Sequence, residues 1–153
     1  MLKPAVSLSL EEFYNLVRSP TAHQNQMVSL IDSNGLQHFI DEDDYISYLG
    51  KIDQLLMDDT ITIKVEKYEK EIDYNNGTVH IFYARKNSPS FDTHTDPIDI
   101  VLEVTHGVKT IEVNGVSTVI PQGICLFVPA NTLHRATNEY ESIMLSWGLH
   151  DST

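Results

Sequence analysis

The spacing of hydrophobic positions along this chain changes period near residue 60. Before that point Phe13, Leu16 and Val17 follow Ser9-Leu10-Glu11-Glu12, a capping-box signature that opens a short helix, and Ser19-Pro20 supplies its stop. From Asp41 to Met57, Tyr45, Ile46, Leu49, Ile52, Leu55 and Leu56 recur at helical spacing. Asp41, Glu42, Asp43 and Asp44 stand in the first turn, where the helix dipole favours negative charge. From Thr60 the period becomes two: Ile61, Ile63 and Val65 alternate with Thr62, Lys64 and Glu66. A second strand over 79–85 follows the turn signal Asn75-Asn76-Gly77 and makes a hairpin. Further strands are predicted at 99–105, 109–113, 116–120, 124–128 and 142–148, with Asn114-Gly115 as a tight turn. Short, evenly spaced strands predict a mainly β sandwich or barrel over 60–148, with a helical N-terminal part over 1–58 packed outside it.

No repeat, linker or shift of composition interrupts this pattern, so 153 residues are read as one domain, 1–153, with one core. Twenty-two acidic against ten basic residues give a formal charge of −12. That balance offers no diffuse basic surface for phosphates and argues against nucleic acid or an anionic membrane as partner. No apolar run approaches the roughly 18 residues of a membrane span, and Met1-Leu2-Lys3-Pro4 lacks the apolar stretch of a signal peptide. A soluble, cytoplasmic protein is expected. Cys125 is the single cysteine, which excludes an intrachain disulfide and a thiolate-rich zinc site. In the apolar run Ile124 to Val128 it reads as a small core residue rather than a nucleophile.

Against that background His94-Thr95-Asp96 and His134 carry the chemistry. Residues two apart on an extended segment share a face, so His94 and Asp96 point the same way. His134, after Pro129 and at the end of another predicted strand, is placed to meet them inside a barrel. Two histidines and a carboxylate give a divalent metal three ligands and leave open positions, the donor set of non-haem Fe(II) oxygenases. The spacing alone leaves a second reading open, since a His-x-Asp triplet is short and seven histidines are present to complete it.

The flanking residues resemble a known family. Gly123, Pro129, Asn131, His134 and Asn138 match the second cupin motif, with Asn131 where that motif has its second glycine. Asparagine tolerates positive φ best after glycine, so the turn survives the exchange. The first cupin motif is present in altered form. Asp96 stands for its second histidine and Ile100 for its glutamate ligand, while Gly107 keeps its glycine. The four-ligand site thereby becomes a three-ligand one, as in the JmjC-like branch of cupin-fold oxygenases that use Fe(II), 2-oxoglutarate and O2.

That resemblance implies a cupin-type double-stranded β-helix, or jelly-roll barrel, and a hydroxylase that releases succinate and CO2. It implies metal ligation by His94, Asp96 and His134. It also implies 2-oxoglutarate binding by Lys109, from the Gly107-Val108-Lys109 triplet at the place where the branch has its lysine. Without the resemblance Lys109 reads as an ordinary charged residue opening an exposed strand. Phe91 stands where a hydroxyl-bearing residue often helps hold the co-substrate, so Tyr83 and Ser146 are the candidate hydroxyls. Both are equally consistent with ordinary packing. His106 reads as a turn residue, Asp99 as an exposed carboxylate, Trp147 and Phe127 as core. His23, His38, His80 and His150 show no partner pattern.

The substrate is expected to be a small molecule or an exposed peptide side chain, since fold analogy does not choose among the branch's substrates. A homodimer is compatible with the sequence. Three alternatives stand beside the oxygenase: a metal-binding cupin without 2-oxoglutarate chemistry, a non-catalytic sensor, and a structural sandwich whose triad does not converge.

Overall fold

The structure, a computed structural model, describes residues 8–19, 28–40, 47, 48, 50–66 and 78–149. In chain order its elements are α1 (Leu10–Arg18), β1 (Val28–Ile31), β2 (Gln37–Phe39), α2 (Ile52–Leu56), β3 (Thr62–Val65) and β4 (Thr78–Ala84). Then come β5 (Asp99–Val113), β6 (Val116–Pro121), β7 (Cys125–Val128), β8 (His134–Thr137) and β9 (Ser142–Leu149). The capping box is present: Ser9 Oγ accepts from the Glu12 amide and the Glu12 carboxylate accepts from the Ser9 amide, each at 3.1 Å. Two orphan donors of α1 are thereby satisfied.

All pairings are antiparallel, in the order β2-β1-β3-β4-β9-β5, and the long strand β5 joins two sheets. Its first half pairs with β7 and β9, and its second half with β6 and β8. A bulge between Val104 and His106 makes the turn from one sheet to the other. Gly107, just past it, sits at φ 74°, and a Cβ there would lie 2.0 Å from the Glu141 carbonyl oxygen. Only glycine fits that crossing. The fold is a cupin-type jelly roll, mainly β.

The strands alternate between two cores. Ile63, Val65, Ile81, Tyr83, Leu145 and Trp147 point out of the larger sheet and are covered by Phe13 and Val17 of α1 and by Ile52 and Leu56 of α2. Ile100, Leu102, Val104, Ile111, Ile120, Val128 and Met144 point into the barrel. The central strands of the larger sheet are therefore covered on both faces, by helices outside and by the barrel inside.

Several expectations need correction. The first third is not wholly helical, because β1 and β2 lie within 28–39 and extend the larger sheet. The segments 99–105 and 109–113 form one strand, since the bulge bends β5 without ending it. The segment from His134, where no strand was expected, forms β8. Cys125 and Phe127 are exposed, because alternation along β7 turns them outward while Val128 is buried. His106 is no turn residue; it lies within β5, with Nε2 3.0 Å from Glu141. The helical pattern over 41–46, the turn Asn75-Asn76-Gly77, Pro20, His23 and His150 lie outside the described residues.

Candidate metal centre

His94 and His134 come together through the backbone. They form an isolated antiparallel bridge, each amide donating to the other's carbonyl at 3.0 and 2.9 Å, with ring centroids 4.4 Å apart. The turn that carries Asp96 is tied to the same corner. The Asn131 amide donates to the Asp96 carbonyl at 2.7 Å, and the Ala130 amide donates to the Asp99 carboxylate at 2.8 Å. Asn131 adopts φ 62°, the left-handed conformation that the motif's glycine would have taken without a Cβ penalty.

One ligand atom from each of His94, Asp96 and His134 lies within 4.8 Å of the others. Asp96 Oδ2 is 3.0 Å from His134 Nε2 and 3.8 Å from His94 Nε2. The remaining ring nitrogens decide the tautomers. His94 Nδ1 lies 2.8 Å from the Asp92 carbonyl and His134 Nδ1 2.9 Å from the Thr132 carbonyl. A carbonyl accepts and cannot donate, so each Nδ1 carries a proton, and in the neutral ring Nε2 presents its lone pair. Two imidazole lone pairs and a carboxylate oxygen thus converge on one point. A divalent cation satisfies all three, and the carbonyl partners are of the kind that orient metal-ligating histidines. The donor set fits Fe(II).

The triad lines a cavity of about 530 Å³. Its walls include Phe82, Phe91, Ile100, Leu102, Ile111, Ala136 and Met144, with Lys64, His80 and Ser146 among the polar positions. Phe91 sets its ring edge-on to both His94 and Phe82, at centroid distances of 6.4 and 6.3 Å. Mainly apolar walls with a few convergent polar groups are what a small-molecule site requires.

The three residues expected to hold a co-substrate occupy different places. Ser146 is in the cavity wall. Lys109 is buried on the inward face of β5, two residues before Ile111, beneath the lining rather than in it. Its ammonium donates to Asn138 Oδ1, and the Asn138 amide donates to the carbonyls of Ser88 and Pro89. Burial pushes the Lys109 amine down to about 7. Tyr83 requires a correction, because it lies on the opposite face of β4 from the cavity-lining Phe82. There it packs on Phe13 and donates to Glu141 at 2.7 Å; burial and that hydrogen bond raise its pKa.

Sequence reasoning missed Lys64 and His80. Lys64 entered the reading only as a polar position alternating with Ile63 and Val65, and His80 as a histidine with no partner pattern, whereas both line the cavity. The available signal was the alternation itself, once the helices are known to cover the other face.

No protein-family model matches the sequence, and no curated protein matches it. Solved structures do. The ribosomal oxygenase YcfD of Escherichia coli superposes on 95% of this chain and 44% of its own, with a TM-score of 0.65 and 12% identity. A conserved protein of unknown function from Streptococcus pyogenes matches 60% of this chain and 76% of its own, with a TM-score of 0.50 and 14% identity. A cupin superfamily protein from Desulfitobacterium hafniense covers 57% of this chain and 78% of its own at a TM-score of 0.48 and 17% identity. At these identities the likeness is one of fold. None of the described helices is long and apolar enough to cross a membrane.

Proposed function

We propose that the protein is a non-haem Fe(II) and 2-oxoglutarate-dependent oxygenase that hydroxylates a small molecule or a peptide side chain. The observation carrying this reading is the convergence of the His94 and His134 Nε2 lone pairs on Asp96 Oδ2, with each Nδ1 held by a backbone carbonyl. His94, Asp96 and His134 would hold Fe(II) on one side and leave positions open towards the cavity. When bound, Fe(II) with 2-oxoglutarate and O2 supplies oxidative decarboxylation to succinate and CO2 coupled to substrate hydroxylation.

The remaining roles belong to the chain. Lys109 would take the distal carboxylate of 2-oxoglutarate by turning its ammonium from Asn138 Oδ1 towards the cavity. Among the described residues this buried cation has an amide oxygen as its partner and no carboxylate, a costly arrangement that a dicarboxylate relieves. Ser146, which lines the cavity from β9, would donate a hydrogen bond to the co-substrate. Phe82, Phe91, Leu102 and Met144 would exclude water around the reacting groups.

Anaerobic addition of Fe(II) and then 2-oxoglutarate tests the reading through the visible charge-transfer absorption of the chelate. A band in the wild type, lost in Asp96→Ala and weakened in Lys109→Met at limiting 2-oxoglutarate, is expected. Absence of a band in the wild type would refute it. A second reading, a metal-binding cupin without 2-oxoglutarate chemistry, draws on the position of Lys109 beneath the cavity wall. It requires metal binding with no such band.

A further inference from the structure

The cavity wall itself carries a cation, Lys64, that the proposed oxygenase chemistry does not use. Lys64 lines the cavity from β3, yet only 9% of its side chain is exposed. Its neighbours on the same inward row are Phe82 and Met144, which pair across β3, β4 and β9. Apolar filling is the rule along that row, and a lysine there must be explained by what it meets.

Its own chain satisfies Lys64 on one side. Glu66 Oε1 lies 3.0 Å from its Nζ, and the same oxygen accepts from Gln37 at 3.1 Å. Burial would raise the Glu66 pKa, but the hydrogen bonds from Lys64 and Gln37 outweigh it and hold the carboxyl below its usual range. The Phe82 and Phe91 rings stand 5.6 and 5.3 Å from the ammonium. Such rings stabilise a cation without accepting a conventional hydrogen bond. An ammonium has three N–H donors, so Glu66 leaves capacity for a second acceptor on the cavity side.

His80 stands beside this position. It pairs with Ser146 across β4 and β9 and lines the same cavity. Burial first, and the Lys64 cation second, lower its pKa against the pull of Glu66 and Asp96. A neutral imidazole there offers one donor and one acceptor to whatever fills the cavity. Asp92 and Asp96 also face the cavity and repel an anion, and a divalent metal on the triad would offset the second of these.

We propose that the cavity's substrate is a small organic acid with an apolar body, its carboxylate on Lys64 with His80 beside it and its apolar part between Phe82, Phe91 and Met144. This rests on the oxygenase reading for the word substrate, but the binding site itself does not depend on 2-oxoglutarate. A cavity of about 530 Å³ is large enough for a co-substrate at the triad and a second small molecule. Recognition by a paired, ring-flanked ammonium selects charge, and the apolar wall selects the body. An amide of the same shape forfeits the first and keeps the second.

The test uses 3-phenylpropanoate and 3-phenylpropanamide as probes, titrated calorimetrically into the Mn(II)-loaded full chain, first without and then with saturating 2-oxoglutarate. The acid should bind at least tenfold more tightly than the amide. Lys64→Met should bring the two within about twofold, while Lys109→Met should keep the preference. Saturating 2-oxoglutarate should leave acid binding in place.

Equal binding of acid and amide by the wild type overturns the proposal, and that comparison needs no variant to fold. A preference that survives in Lys64→Met assigns the acid to the metal and also overturns it. So does a preference lost only in Lys109→Met, or competitive displacement by 2-oxoglutarate, which would make Lys64 the co-substrate's own anchor. Failure of the oxygenase reading has a different signature: no chelate band with Fe(II), whatever the acid-to-amide ratio.

Discussion

Replacing Lys109 with methionine separates the cost of a buried cation from its use. Burial pushes the amine from 10.5 to about 7. At 1.36 kcal/mol per unit, holding the charged form inside the barrel costs about 4–5 kcal/mol. The folded pKa lies below the unfolded one, so below about pH 7 both states carry the proton and the cost is complete. Between about pH 7 and 10.5 the unfolded chain binds more protons, and the contribution of this group to stability rises with pH. Methionine keeps an unbranched apolar stem and removes the charge, but it leaves Asn138 Oδ1 without its donor, a loss of about 1–3 kcal/mol. The difference predicts that the metal-free variant is more stable than wild type at pH 6 by about 1–4 kcal/mol. For a chain of this size that is about 2–4 °C in Tm per kcal/mol. Thermal unfolding in the presence of a chelator, from pH 6 to 10, measures it. The advantage of the variant should shrink as pH rises. A variant less stable than wild type at pH 6, with a gap that does not change with pH, would refute the reasoning, because the ammonium would then be compensated in the ligand-free fold.

Three further outcomes follow from local geometry. Gly107→Ala places a Cβ 2.0 Å from the Glu141 carbonyl at φ 74°, and urea unfolding should show a loss of about 3 kcal/mol or more. Asn131→Gly should change stability by no more than about 0.5 kcal/mol and Asn131→Ala should cost about 1 kcal/mol, because residue 131 sits at φ 62°; equal effects would contradict a requirement for positive φ. Tyr83→Phe removes the hydrogen bond to Glu141 and should cost about 1–2 kcal/mol in the same unfolding assay. Its Fe(II) and 2-oxoglutarate absorption should match that of the wild type, because Tyr83 faces the helices rather than the cavity.

What the sequence made legible is the part written in local rules. The Ser9 box, the Asn114-Gly115 turn and the positive φ of Asn131 each follow from one or two residues, and all three appear. His94 and Asp96 could be placed on one face because they are two apart, and the spacing around His134 pointed to the residue that completes the cluster. Tyr83 was misread because alternation fixes which residues share a face, not which face meets the barrel. Both sides of β4 are covered, one by the helices and one by the half-buried cavity wall, so composition does not distinguish them. Lys64 and His80 escaped for the same reason, since polar residues alternating with Ile63 and Val65 on β3 or with Val79 and Ile81 on β4 look like a solvated face until the helices claim the other one. Cys125 and Phe127 went the opposite way, apolar in sequence yet outward on β7, because the segment from Ile124 to Val128 reads as a buried run when its pairing is unknown.

The central claim is that His94, Asp96 and His134 hold one divalent metal, and crystals soaked in Mn(II) with anomalous diffraction test it most directly. The account predicts a single strong peak within about 2.0–2.3 Å of His94 Nε2, Asp96 Oδ2 and His134 Nε2, lost in Asp96→Ala. A peak elsewhere with none between these atoms would contradict it.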